Sequence, residues 1–232
     1  MTIAQAGLAF RVSDPIEDLG AVVSSVLDEP AVELAAPVAE RFDIRNPGDV
    51  MVQSFGDVCF LCNDPLVEPL LCGADASRVH RLLGAPSLLI AFRHDDAADN
   101  YGYAVFERGA RRRTRVQSGR ESAASESGSP LPFERRWLAA EHFVQAEPAA
   151  GAAGKVYYLG RREVLVPERR LTGRMLQEGL ETHFDVCPWE TLITPTYRFF
   201  RVEGGAVEGP PSSILPGSGT VPARKKAWWR RA

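Results

Sequence analysis

Lysine is nearly absent from this 232-residue chain: Lys155, Lys225 and Lys226 are its only lysines among 27 basic residues. Arginine carries the positive charge instead, beside much alanine, glycine and proline, which fits a GC-rich bacterial genome. No run approaches the ~18 consecutive apolar residues that a membrane span needs. The opening MTIAQAGLAFRVSD has neither a basic n-region nor a long apolar h-region, so no secretory signal is expected there. Cysteine is limited to Cys59, Cys62, Cys72 and Cys187. Without an export signal, the expectation is four reduced thiols in a cytoplasmic protein. The four histidines, His80, His94, His142 and His183, are scattered, and neither HExxH nor GxSxG occurs. A zinc protease and a serine hydrolase therefore lack local support.

What is present is ordinary for a globular domain: 45% hydrophobic and 25% charged residues. Such a length can hide roughly 70% of the unfolded surface, so the chain needs no covalent staples. The formal charge is −3, but residues 211–232 hold Arg224, Lys225, Lys226, Arg230 and Arg231 and no acid. Subtracting that +5 leaves −8 for the rest. An acidic body argues against a broad nucleic-acid surface, since phosphate binding needs a basic footprint.

Hydrophobic spacing and turn chemistry give the element order. LAFRV reads as a short strand. Asp14, Pro15 and Glu17 form a capping arrangement for a helix with Ile16, Leu19, Val23, Val26 and Leu27 at helical spacing, stopped by Pro30. Residues 31–46 fit neither period, and NPGD (46–49) is a turn. DVMVQS and DVCFLC flank a Phe55-Gly56-Asp57 corner and predict a hairpin. A short helix is expected over 75–83, then a meander of SLLIAFR, YGYAVFE and RRTRVQS. Residues 118–130 read as a mobile loop. A helix is expected from Pro132 to Gln145 with Phe133, Trp137, Leu138 and Val144 inward. KVYYL reads as a strand, PERRLTGRMLQEGLETHF as a helix and TYRFFRV as a last strand. Helices and strands mix without regular alternation. The expectation is an α+β fold, with a largely antiparallel sheet and about four packed helices, as a single domain over 1–205. A flexible Gly/Pro/Ser linker and tail would occupy 206–232.

Several motifs invite chemistry. GAAGKV (151–156) lacks the first glycine and the Ser/Thr of a phosphate loop and precedes a strand, so nucleotide binding is not supported. Cys59-Phe60-Leu61-Cys62 has CxxC spacing, with Cys72 and His80 downstream. In a strand, however, residues three apart face opposite sides, which favours buried thiols over zinc. The acidic loop His94-Asp95-Asp96-Ala97-Ala98-Asp99-Asn100 offers oxygen ligands for Ca²⁺ or Mg²⁺, against a hydrated strand connection. Alternation puts Arg111, Arg113 and Arg115 on one face, able to pair with that loop, with Arg108 and Arg112 nearby. His183 with Cys187, in DVCPWE, is the other candidate for catalysis.

PARKKAWWRRA closes the sequence, with five cations flanking Trp228 and Trp229. Tryptophan and arginine are common anchors of protein interfaces, and the same residues suit an anionic membrane surface or stacked bases. Arg224, Lys225, Lys226, Trp228, Trp229, Arg230 and Arg231 are therefore the expected partner-binding residues, with a protein as partner and weak membrane or nucleic-acid contact as alternatives. No catalytic residue, metal or cofactor is assigned. The expected role is a non-enzymatic cytoplasmic interaction protein. The alternative is an enzyme or metal-binding protein with its site near 94–100 or near His183 and Cys187.

SLLIAFRHDDAADNYGYAVFERGARRRTRVQSG followed by GSPLPFER, and LETHFDVCPWE ending in TYRFFR, resemble a family of uncharacterised bacterial proteins over roughly residues 85–202. That resemblance implies a strand, a Tyr-Gly-aromatic hairpin, a basic strand and a Pro-Leu-Pro helix entry. No activity is attached to the family, so it implies no catalytic residue.

Overall fold

The computed structural model describes residues 4–13, 16–35, 42–119, 121, 123–146, 153–160 and 165–202. The tail residues Arg224 to Arg231, the helix start at Asp14 and Pro15, and the linker from 206 lie outside them.

Nine antiparallel strands form the main sheet. They are β1 (Ala4–Arg11), β2 (Ala31–Leu34), β3 (Asp49–Phe55), β4 (Val58–Cys62), β5 (Leu88–Asp95), β6 (Asn100–Glu107), β7 (Ala110–Gln117), β8 (Ser125–Gly128) and β12 (Thr196–Val202), in the order β2-β12-β3-β4-β1-β5-β6-β7-β8. A smaller sheet has the order β11-β10-β9, from β9 (Glu141–Ala146), β10 (Ala153–Tyr158) and β11 (Val166–Pro167). Helices α1 (Leu19–Leu27), α2 (Asp64–Leu71) and α3 (Ser77–Leu82) pack with Leu8, Phe10, Leu61 and Leu89 on one face of the main sheet. On the other, α4 (Pro132–Leu138) and α5 (Glu168–Phe184) pack with Phe60, Phe92, Tyr103 and Val105. Both faces of the central strands are covered, which is why all five residues of β4 are buried and its pattern is continuous rather than alternating. The fold is α+β around a largely antiparallel sheet. Among the described residues no helix is long and apolar enough to cross a membrane.

The local expectations were met unevenly. The β3–β4 hairpin, the meander β5–β6–β7 and β12 stand where the pattern put them. Helix α1 begins four residues later than expected: Asp18, not Asp14, is the cap, its carboxylate accepting from the Ala21 N–H at 2.8 Å. Five helices are described, not about four; α2 escaped because Pro65 and Pro69 interrupt its short apolar run. Its cap, Asn63, accepts from the Leu66 N–H, and Pro65 occupies the first turn, where no N–H is needed. The helix expected over 132–145 stops at Leu138, and the chain continues as β9. Val144, expected inward, is 66% exposed there. Part of the expected loop 118–130 is the edge strand β8.

The arginine stripe also differs. A register shift between Val105 and Phe106 breaks the alternation of β7. Arg111 lies over the Phe106 ring and donates to the Ala74 carbonyl, on the α3 side. Arg113 and Arg115 lie on the α5 side, buried, and their partners are Glu126 and Glu134 rather than the acidic loop. The guanidinium of Arg113 donates to Glu134 Oε1 at 2.9 Å and to the Gly128 carbonyl, and the Tyr103 hydroxyl donates to the same carboxylate oxygen at 2.6 Å. Arg115 donates to Thr172, and Thr172 to Gln117. This network explains why α4, β8 and α5 assemble around β7.

Candidate functional site

Strand β1 pairs with β5 from Ala4 to Phe10 but with β4 only from Gly7 to Arg11. At Asn63 the chain leaves β4 for α2, so among the described residues no strand pairs with 4–6 on that side. A cleft of about 510 Å³ fills this gap, within the range of small-molecule sites. Its rim comprises Gln5 of β1, Arg93, His94 and Asp95 of β5, Asn100 of β6, Asp64 of α2, and the loop Asp43-Ile44-Arg45. Asn63 fixes that loop's exit, its amide donating to the carbonyls of Asn46, Pro47 and Asp49, while the Asp64 N–H donates to the Ile44 carbonyl.

His94 is central. Register places it opposite Gln5 on one side and Tyr101 on the other, and Tyr101 in turn opposite Gln117. These four side chains form one row on the α5 face, because residues directly opposite in a sheet share a face. Helix α5 comes close to this row through a glycine: a Cβ on Gly173 would stand 2.8 Å from the Tyr101 ring. The His94 imidazole is 7% exposed, with the Trp189 indole stacked on it at 4.2 Å and Tyr101 edge-on at 5.2 Å. Its Nε2 lies 3.8 Å from Asp96 Oδ1. On this second side is a pocket of about 130 Å³ formed with Tyr101, Arg170, Arg174 and Trp189. His94 is thus a wall between two cavities.

Among the described residues two buried polar atoms here have no hydrogen-bond partner: His94 Nδ1 and Gln5 Oε1. Buried polar atoms are nearly always paired, so two unpaired cross-strand neighbours at a cleft are unusual. Burial pulls the His94 pKa below its ordinary 6.5, against the pull of Asp96 and Asp95, so the imidazole is neutral at pH 7.

The charged groups of the rim are matched among themselves. Arg93 donates to Asp64 Oδ1 at 2.7 Å and pairs with Glu68. Burial works against the Arg93 charge, but these two carboxylates outweigh it and raise its pKa. Arg45 donates to Asp43, whose carboxyl its hydrogen bonds hold below the usual range. Asp95 accepts from the N–H groups of Ala97 and Ala98.

The candidates read from the sequence fall as follows. The acidic loop is the β5–β6 turn, and its Asp96 and Asp99 carboxylates meet at the Tyr101 hydroxyl, while Asp95 turns back to the loop's own N–H groups. Asp96 accepts from Tyr101 at 2.8 Å, and Asp99 bridges to Arg169 and Arg170 at 2.9 Å each. Among the described residues no three His, Cys, Asp or Glu side chains gather as a metal site requires. Cys59 and Cys62 face opposite sides of the sheet, in separate cores, and burial pushes the Cys62 thiol up to about 12. Cys72 is exposed and donates to Glu68, and His80 meets the Pro86 carbonyl at 2.8 Å. His183 stands edge-on to Phe133. Cys187 is buried in the turn after α5, its thiol likewise pushed up to about 12 by burial, and neither of these two lines the cleft. Of DVCPWE it is Trp189 that reaches this region, laid on His94 by that turn. Gln5 and the 43–45 loop carried no motif that could have drawn attention to them. No family model matches the chain, and no curated protein or solved structure matches it either.

Proposed function

We propose that this is a binding protein whose ligand occupies the cleft between β1, β5 and the 43–45 loop. One observation carries the reading: where β1 runs past β4 the sheet leaves a cleft of about 510 Å³, walled by the buried His94 and by Gln5 and rimmed by polar and charged side chains. The nucleophiles that covalent chemistry would use do not support an enzyme here, since Cys62 and Cys187 are buried as neutral thiols away from the cleft.

A fragment screen by two-dimensional NMR tests this. Small polar molecules are expected to shift the resonances of Gln5, His94 and Trp189, and Ala4→Trp, at an exposed rim position, is expected to abolish those shifts. Hits mapping elsewhere, or surviving Ala4→Trp, would remove the cleft from consideration.

The basic-aromatic tail belongs to the same proposal as the arm that meets a protein partner, supported by its +5 charge against a body of −8. Deleting 211–232 should leave ligand shifts at the cleft intact and abolish capture of an acidic partner; unchanged capture would count against the arm.

The same imidazole supports a second reading. A neutral His94 beside Asp96, with an open nitrogen, is the arrangement of a general base. That reading expects a bound ligand to be turned over, seen as new ligand resonances that fail to appear with His94→Gln.

A further inference from the structure

We propose that β9 is an interaction edge and that its partner is the β9 of a second copy of this chain, paired antiparallel about a two-fold axis at Phe143. The inference is independent of the cleft. Strand β9 is the outer strand of the small sheet, and among the described residues β10 alone pairs with it. The backbone groups that it turns away from β10 can take a further strand. The other outer strands are short or polar. Strand β8 is four exposed residues, Ser125–Gly128, with Glu126 among them, and β2 is four residues carrying Glu33. Strand β11 has two residues, one of them Pro167, and lies against α5. Strand β9 has six residues, an unbroken register, and neither proline nor lysine. Eight large hydrophobic residues are exposed among the described residues, and three of them, Leu138, Phe143 and Val144, lie on β9 or just before it. Phe143 and Val144 point to opposite faces, so both faces of this edge are apolar.

The charge of the edge selects the partner. Its one acid, Glu141, accepts from the Tyr158 hydroxyl of its own sheet, so a basic segment, the tail 211–232 included, finds little to pair with. A second copy meets no such mismatch. Antiparallel strands match residues whose backbone groups point at one another, so a strand pairs with its own copy about a residue and not between two. Centred on Phe143, the two phenyl rings lie opposite each other, His142 meets Val144 of the second copy, and Glu141 meets its Gln145. No like charges face each other, and an aromatic pair sits at the axis, as a self-complementary interface requires. Five paired residues a side is a small interface, of the class under about 1,200 Å² that associates transiently.

Sedimentation velocity of the full-length protein across the micromolar range is expected to show monomers passing into dimers. Val144→Lys and Phe143→Lys, each placing a charge on the edge at an exposed position, should weaken the dimer about tenfold or more. Melting temperatures matching the wild type at low concentration, where all three are monomeric, would show that the variants fold. The axis is tested by Phe143→Cys combined with Cys72→Ser, which removes the exposed native thiol. Residues directly opposite lie within disulfide reach, so this variant should cross-link under mild oxidation, whereas Val32→Cys on β2, equally exposed, should not. A monomer at every concentration would overturn the inference, as would a dimer that both lysine variants leave intact or equal cross-linking at Val32. Monomers whose β9 amides resist hydrogen exchange would also overturn it, since the edge would then be covered by another part of the same chain.

Discussion

Glu134 is fully buried, and Arg113 is 1% exposed beside it. A charge this deep is tolerated only because every oxygen and N–H has a partner: Glu134 accepts from Arg113, Tyr103 and the Leu131 N–H, while Arg113 also reaches Glu126 and Gly128. Such a pair adds little over a well-packed apolar substitute, but losing one member leaves the other uncompensated. Glu134→Ala should therefore cost about 3–5 kcal/mol in urea unfolding, and Arg113→Met with Glu134→Leu should restore most of it. A small loss for the single variant would show that water reaches Arg113. Sequence alternation singled out Arg113 and Arg115 but joined them to the wrong acids. The turn acids Asp96 and Asp99 lie near in sequence, whereas Glu126 and Glu134 arrive on elements whose packing the pattern did not reveal.

At the level of elements, legibility followed how many faces were buried. Strands β5 and β6 and helix α5 showed their patterns plainly, being largely apolar runs or a long amphipathic repeat. Helix α2 and strand β9 did not. The first carries two prolines, and the second has Phe143 and Val144 adjacent, so that apolar side chains leave both faces. The cleft was legible only in part: His94 stood out among its acids, but Gln5 and Trp189 become neighbours through pairing across distant strands and a turn after α5. Helix α5 supplies a test of how it seats on the sheet. Glycine-to-alanine changes inside helices ordinarily stabilise by about 0.5–1 kcal/mol. Gly173→Ala should instead destabilise by about 1–3 kcal/mol, since the new methyl meets the Tyr101 ring at 2.8 Å. Thermal melts would decide the sign, and a stabilised variant would mean that the helix lifts from Tyr101 at no cost.

For the molecule as a whole, titration divides into two ranges. His94 and His183 both have pKa values lowered from 6.5 by burial. The unfolded chain therefore binds protons first, and stability is complete above 6.5 and declines as pH falls below it. Of the groups facing His94, Asp96 and Asp95 temper that decline, Arg174 adds to it, and burial outweighs them. Asp43, Glu68 and Glu126 are lowered as well, but as carboxylates they contribute stability above their ordinary values of 3.8 to 4.5, lost only as pH falls further. Burial opposes the Glu126 shift, and Arg113 and Arg115 overcome it. Urea midpoints from pH 8 to 3 should thus fall in two stages, and His94→Gln should flatten the first. A wild-type midpoint constant between pH 7 and 5 would contradict the neutral, buried imidazole.

Strand β12 lies between β2 and β3, although some 140 residues separate it from β3 in sequence. During synthesis, both of those early strands await a partner that leaves the ribosome after nearly all of the sheet. Until it arrives, β2 has no neighbour and β3 presents a bare edge, the kind of surface on which nascent chains associate with one another. A stop codon anywhere before Thr196 would make that condition permanent, so premature termination should yield insoluble material rather than a shortened version of the fold.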